Sequence, residues 1–373
     1  MTREKTMSNF QRDCCELLAE RFRSGKLDRR GFLTGLVALG AATMAAPGAR
    51  AAGQELVVVN WGGDAIDAYS AAFAEAYEAA TGNKLKIDGS GPLEGSMKTQ
   101  FESNSVRWDV CDAEPYSAIR LGREGMMEKI DYSIVDRSKI EPGFDGEFYV
   151  PSYFYSNVIA YDAARFGDDA PSTWADFWNV AKYPGKRTLY KLMTGVLEAA
   201  LLADGVAPAE LYPLDVDRAL AKIEVLKPHI VSFWSSGAES QQLLRDGEVS
   251  MGLLWHTRAN LTKQDTEGEV DWTFDQGLVS PSGWTVIKGN PAGLKAAMEF
   301  IALAQNPDNQ VTLLNELGNG PANPAAHALV SEEMKPVDAS SKENLERQIV
   351  LQAEWYADHY GTALDKYLAL VSS

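Results

Sequence analysis

The chain has 373 residues, enough for two domains of ordinary size, with 45% hydrophobic and 23% charged side chains. Its formal net charge is −17, and residues 52–373 alone carry 26 basic against 47 acidic side chains. That balance excludes a nucleic-acid partner, which needs a basic face, and mildly favours cationic solutes at encounter.

The first recognisable element lies at the N-terminus. Arg29 and Arg30 stand before an apolar stretch over 32–46, which ends at Ala49-Arg50-Ala51. The order basic, apolar, small is that of a secretory signal, and an arginine pair followed by Phe32-Leu33 reads as a twin-arginine address. The stretch is short of the ~20 residues that span a bilayer. Residues 1–51 are therefore expected to be a cleaved signal, with a mature chain that starts near Ala52 and is soluble in the periplasm. Cys14 and Cys15 fall in the segment to be removed, so Cys111 is left alone and no intramolecular disulfide is expected.

Leu56-Val57-Val58-Val59-Asn60 reads as a buried strand, broken by Trp61-Gly62-Gly63. Ile66, Tyr69, Phe73, Ala76, Tyr77 and Ala80 then recur at helical spacing up to Gly82, and Leu85-Lys86-Ile87 resumes as a strand. This is a βαβ unit on a parallel sheet. A helix over 97–103, a strand over 109–111 and a helix over 118–125 follow. Further helices are expected over 174–181, 197–204, 216–227, 292–304 and 345–370, with strands over 249–255 and 284–287. The alternation makes the fold class α/β.

Common catalytic signatures are missing. His229, His256, His327 and His359 have no metal spacing, and there is no Cys-x-x-Cys pair, Walker A sequence or Gly-x-Ser-x-Gly elbow. The glycine-rich Gly89-Ser90-Gly91-Pro92 misses the dinucleotide fingerprint and reads as a loop. No cofactor or metal is expected, and a binder rather than an enzyme.

Seven stretches, in order, resemble the spermidine/putrescine-binding periplasmic proteins, extracellular solute-binding proteins of ABC importers. They are Val59-Asn60-Trp61; Trp108-Asp109-Val110 with Tyr116; the run over 121–131; Tyr149-Val150-Pro151-Ser152-Tyr153; the run over 172–178; the run over 246–252; and the run over 318–324. The resemblance implies a type II periplasmic-binding-protein fold, with two discontinuous α/β lobes joined by crossover strands and the ligand in the interlobe cleft. The lobes are drawn at 52–157 plus 283–327 and at 158–282 plus 328–373. The implied partners are a small-molecule ligand and an inner-membrane permease, and a monomer is expected.

Trp61, Tyr116 and Trp255 match the family's stacking positions, with Tyr153, Tyr155 and Trp284 as nearby candidates. Independently of the resemblance, Trp61, Glu114 to Tyr116 and Trp255 each follow a predicted strand, where ligands bind in open α/β sheets. Core packing is the competing reading for each tryptophan. The family's lobe-two acidic pair is replaced here by Leu192 and Gly195, and the aspartate of its second crossover falls near Ser282 and Gly283. Glu114 would instead hold an ammonium and Arg258, three residues after Trp255, a carboxylate. The competing readings are a surface carboxylate and a solvated arginine. The expected ligand is thus a small amine, an ω-amino acid ahead of a diamine. A diamine would need an acidic site rebuilt from residues such as Glu114 and Asp64. A sensing protein that signals through a receptor, or a group-transfer enzyme on the same core, are the alternatives in other classes.

Overall fold

Two long strands organise the sheet. In the computed structural model, which describes residues 55–373, β4 (Val150–Asp162) has 13 residues and β8 (Val270–Thr285) has 16, against the five or six typical of a strand. The expected signal over 1–51, with Arg29 and Arg30, lies outside the described residues.

The remaining main strands are β1 (Glu55–Val59), β2 (Lys84–Asp88), β3 (Val110–Ala113), β5 (Arg187–Tyr190), β6 (Ile230–Trp234) and β7 (Met251–Trp255). Their order across the sheet is β2-β1-β3-β8-β4-β7-β5-β6. β1 pairs in parallel with β2 and β3, and β5 in parallel with β6 and β7. β8 runs antiparallel to β3 and β4, and β4 antiparallel to β7. One end of β8 therefore belongs with β1 to β3, while the far end of β4 belongs with β5 to β7. The long pair crosses from one half of the molecule to the other, as crossover strands of a two-lobed α/β fold do.

The crossing has a bend built into it. Between Asn157 and Ile159 the partner on β8 jumps from Leu278 to Thr273, an irregularity that bends a strand and re-aims its side chains. The bypassed segment includes Gln276, at φ 55. Gln276 is held from outside the pair, since Trp174 donates its backbone N–H to Oε1 and its indole N–H to the backbone carbonyl, each at 2.9 Å.

The first βαβ unit is present, with one departure. The helix after β1 opens as α1 (Ala65–Tyr69) and passes through a π-helical turn, Ser70–Ala74, before resuming as Glu75–Thr81. A π turn adds a residue and rotates the apolar face. Ala68, Tyr69, Ala72, Phe73 and Tyr77 are buried, while Ile66 and Ala80 are exposed. The strictly helical set read from the sequence is correct only in its middle.

Further elements that shape the cleft are α2 (Pro115–Arg123), α3 (Val196–Ala203), α4 (Gly237–Arg245), α5 (His256–Asp265) and the terminal α6 (Ala353–Ser372). α6 joins distant parts of the chain. Arg123 of α2 bridges Glu354 and Asp358, while Tyr356 donates to the buried Glu198 of α3. Among the described residues no helix is long and apolar enough to cross a membrane. Cys111 is buried and unbridged.

Candidate ligand-binding site

A cleft of about 440 Å³ opens where the carboxyl ends of the strands converge. β1 leads into Trp61, β3 into Glu114, β5 into Lys191 and Leu192, β6 into Ser235 and Ser236, and β7 ends on Trp255; all of these line it. Strand ends at a change of chain direction leave a crevice free of crossing helices, which is why ligands bind there.

The lip from the first half depends on a close backbone approach. Gly62 sits at φ +74, and a Cβ on it would lie 2.5 Å from the Gly89 carbonyl oxygen. Two glycine-bearing loops can thus lie against each other and carry Trp61, Ser90 and Gly91 to the cleft. The Gly89-Ser90-Gly91-Pro92 segment is a loop, as its spacing suggests.

Glu114 is the N-cap residue of α2, but its carboxylate does not cap the helix. Both oxygens accept from the Tyr155 hydroxyl, at 2.8 and 2.9 Å. Burial among aromatic side chains pushes its pKa up to about 7, the Tyr155 hydrogen bond opposes this, and nearby Asp112 adds to it. An acid so poised in a cleft marks a functional site more often than a structural one.

Asp112 lies deeper, 1% exposed. It accepts from the hydroxyls of Tyr69, Ser282, Tyr153 and Ser152 at 2.6, 2.6, 3.0 and 3.2 Å. Burial is the largest influence on it and raises its pKa. The network fixes the Tyr153 ring, which lines the cleft, by its hydroxyl end.

On the opposite half Trp255 meets Trp234 and Tyr190 edge-on, at 5.1 and 5.6 Å between ring centroids. Arg258 reaches the cleft from the first turn of α5, its stem packed over Gly237, where a Cβ would come within 2.5 Å of Nε. Its Nη1 donates to Asp64 across the cleft at 2.9 Å and to Gln241 at 3.3 Å.

Trp61, Glu114, Tyr153, Trp255 and Arg258 thus face one cleft, together with Tyr155. Tyr116 does not reach it. It lines a smaller adjoining chamber and stacks on Tyr360 at 4.7 Å. Asp64 stands outside the wall, its side chain 67% exposed and paired with Arg258. Trp284 is a correction: it is 1% exposed and sits edge-on to Tyr69, Phe73 and Phe300 in a core cluster of the first half. For this tryptophan the core-packing reading holds. Leu192 lines the cleft, and Gly195 caps α3 at φ +81 with no room for a side chain beside Asn157. Tyr190, Ser235, Ser236 and Asn319 are wall residues that sequence reasoning missed. For the serines the signal was a short apolar run, 230–234, followed by Ser-Ser-Gly.

Comparison with known proteins is decisive for the family. A profile of the bacterial extracellular solute-binding proteins matches residues 72–342. The chain belongs to this family. A γ-aminobutyric acid-binding protein of Pseudomonas aeruginosa is 34% identical to the present solute-binding protein over 324 residues, 84% of this chain and 90% of the relative. The solved structure of the Atu4243–GABA receptor superposes with a TM-score of 0.78 at 35% identity, covering 85% of this chain and 98% of the other. A spermidine/putrescine-binding periplasmic protein of Haemophilus influenzae is 24% identical over 187 residues, 48% of this chain and 51% of its own length. The relatives are solute-binding proteins rather than enzymes, and the fold is that of type II periplasmic binding proteins.

Proposed function

We propose that this solute-binding protein captures a short ω-amino acid of the 4-aminobutanoate type in the periplasm and delivers it to an inner-membrane ABC permease. The observation that carries the reading is one cleft bearing Glu114 on one half and Arg258 on the other, between the Trp61 and Trp255 side chains. One carboxylate, Glu114, and two cations, Arg258 and Lys191, lining the same cleft suit a zwitterion. An unbranched diamine would face the Arg258 guanidinium, and a simple fatty acid would leave Glu114 without a counter-charge. The aromatic walls cover the methylenes and attract the ammonium. Support also comes from the γ-aminobutyric acid named for two relatives at about one-third identity.

The same reading places the ligand between lobes at 52–157 plus 283–327 and 158–282 plus 328–373, on a monomer exported by a twin-arginine signal over 1–51. Replacing Arg29 and Arg30 by lysine should abolish periplasmic accumulation.

Calorimetry with 4-aminobutanoate, putrescine and butanoate tests the ligand class. The zwitterion should bind at least ten-fold more tightly than either single-charge-type ligand, since each charge-assisted contact contributes roughly 1.5–3 kcal/mol. Putrescine binding more tightly than 4-aminobutanoate would sink the proposal.

A further inference from the structure

Beside the main cleft, and sharing Glu114 with it, lies a chamber of about 50 Å³. It has room for one to three water-sized groups. Two of its wall residues present a buried acceptor with no hydrogen-bond partner among the described residues, Asn157 Oδ1 and Glu94 Oε2. Leaving such an acceptor unmatched costs about 1–3 kcal/mol, and native cores seldom do so without a reason.

Asn157 is the more telling of the two. It is 1% exposed and sits at the bend of β4, where an apolar residue would be expected. Its amide nitrogen packs against Gly195, where a Cβ would come within 2.6 Å. Gly195 thereby makes space for this asparagine. Glu94 accepts from Arg120 with its other oxygen, Oε1, at 2.9 Å. Burial raises its pKa against the Arg120 charge and the nearby Ser117 hydroxyl, so Asn157 Oδ1 is the clearer unmatched acceptor. The chamber wall contains two carboxylates, Glu94 and Glu114, and no Lys, Arg or His side chain. The hydroxyl-bearing residues Tyr116, Ser117, Tyr155, Thr194 and Tyr360 also line the wall. Its only acidic side chains are these carboxylates, Glu94 being paired with Arg120 behind it, so the chamber matches a compact cationic donor.

We propose that this chamber is the ammonium subsite. The terminal primary ammonium of the ligand passes Glu114 and donates to Asn157 Oδ1, with Glu94 supplying further negative charge and the carboxylate end remaining in the main cleft near Arg258. This rests on the ω-amino-acid reading and adds to it a head-group rule. A primary ammonium has N–H groups to donate to Asn157 Oδ1, and a trimethylated nitrogen has none.

Calorimetry on the purified protein, with 4-aminobutanoate and its N,N,N-trimethyl analogue, tests the assignment. Wild type should prefer the primary amine at least 100-fold. Asn157→Leu should lower affinity for 4-aminobutanoate at least ten-fold and shrink that preference. Should Asn157→Leu fail to fold, Glu94→Gln carries the test, with an expected loss of three-fold or more. Equal binding of the two ligands by wild type, or wild-type affinity for 4-aminobutanoate in the folded variants, overturns the assignment. Wild type that binds no ω-amino acid fails the reading of function instead. The variants are then titrated with putrescine, and the chamber survives only if its binding falls ten-fold.

Discussion

Arg258 of α5 and Asp64, which precedes α1, are joined across the cleft, Nη1 to Oδ2 at 2.9 Å. The bond ties one half of the molecule to the other beside the proposed carboxylate position. The arginine is the buried partner, 14% exposed against 67% for the aspartate. Because the aspartate is mostly in solvent, the pair should add little to folding stability, about 0–1 kcal/mol. A contact that bridges the two sides of the cleft must break before they part, so this one should slow ligand release.

Asp64→Asn should therefore leave the unfolding midpoint nearly unchanged and speed ligand release two- to five-fold. Stopped-flow tryptophan fluorescence measures the release rate. Raising ionic strength should bring wild type toward the variant, since salt screens the exposed charge. Identical release rates at low salt would rule out a latch. Arg258→Ala should behave differently. It should weaken 4-aminobutanoate at least ten-fold and leave putrescine unaffected or improved, because only the former has a carboxylate to strand.

Glu114 makes binding depend on pH with a definite sign. With burial holding its pKa near 7, the carboxyl is mostly protonated at pH 6. An ammonium beside it favours the ionised form, so binding must expel most of one proton at pH 6 and none at pH 8.5. Affinity for the ammonium ligand should accordingly weaken as pH falls below 7. Calorimetry in two buffers of different ionisation enthalpy counts the proton directly. Glu114→Gln should remove the proton release and weaken binding ten-fold or more. A variant that releases as many protons as wild type would assign the effect to another group.

The tryptophans divide by location. Trp61→Ala and Trp255→Ala should weaken ligand binding by about 1–3 kcal/mol with the fold intact, the scale of a desolvated aromatic contact. Trp284→Ala should instead cost about 3–5 kcal/mol of stability, because it empties a packed aromatic cluster. Thermal unfolding beside ligand titration separates the two outcomes. Unfolding of the Trp61 or Trp255 variant would move that residue into the core class.

The family, the α/β class and much of the cleft were legible in the sequence, because apolar strand runs followed by Trp or Glu announce themselves by pattern. The strands that join the halves were not. β4 contains Pro151 and Asn157, and β8 contains Pro281, residues that argue against a central strand when read alone. In the fold they sit at register slips and at the crossing. Trp284 also follows the strand signal, and only packing shows which way its ring points. Asn157 and Glu94 were invisible for a related reason, since an unmatched acceptor is a property of three-dimensional neighbours.

His256 carries the last prediction. It is fully buried at the start of α5, where Nδ1 accepts from the Ser156 backbone N–H at 3.1 Å and Nε2 lies 2.8 Å from the Gly318 carbonyl. An accepting Nδ1 leaves the proton on Nε2, so the ring is neutral and donates to Gly318. Burial pulls its pKa down to about 4, although both backbone contacts and the Asp338 charge oppose the shift. In the unfolded chain the ring titrates near 6.5. Below that pH the unfolded state gains a proton that the folded state refuses. Stability is thus full above pH 6.5 and falls as pH drops toward 4, by roughly 3 kcal/mol in all. Other groups titrate in the same window, so the measurement is a difference. Denaturant unfolding of wild type and His256→Gln at pH 7.5, 6, 5 and 4 should show wild type more stable at pH 7.5. The gap should close, or reverse, on acidification, because glutamine keeps a donor and an acceptor and has no proton to gain. A gap that stays constant over these pH values would mean that His256 is not the group that limits acid stability.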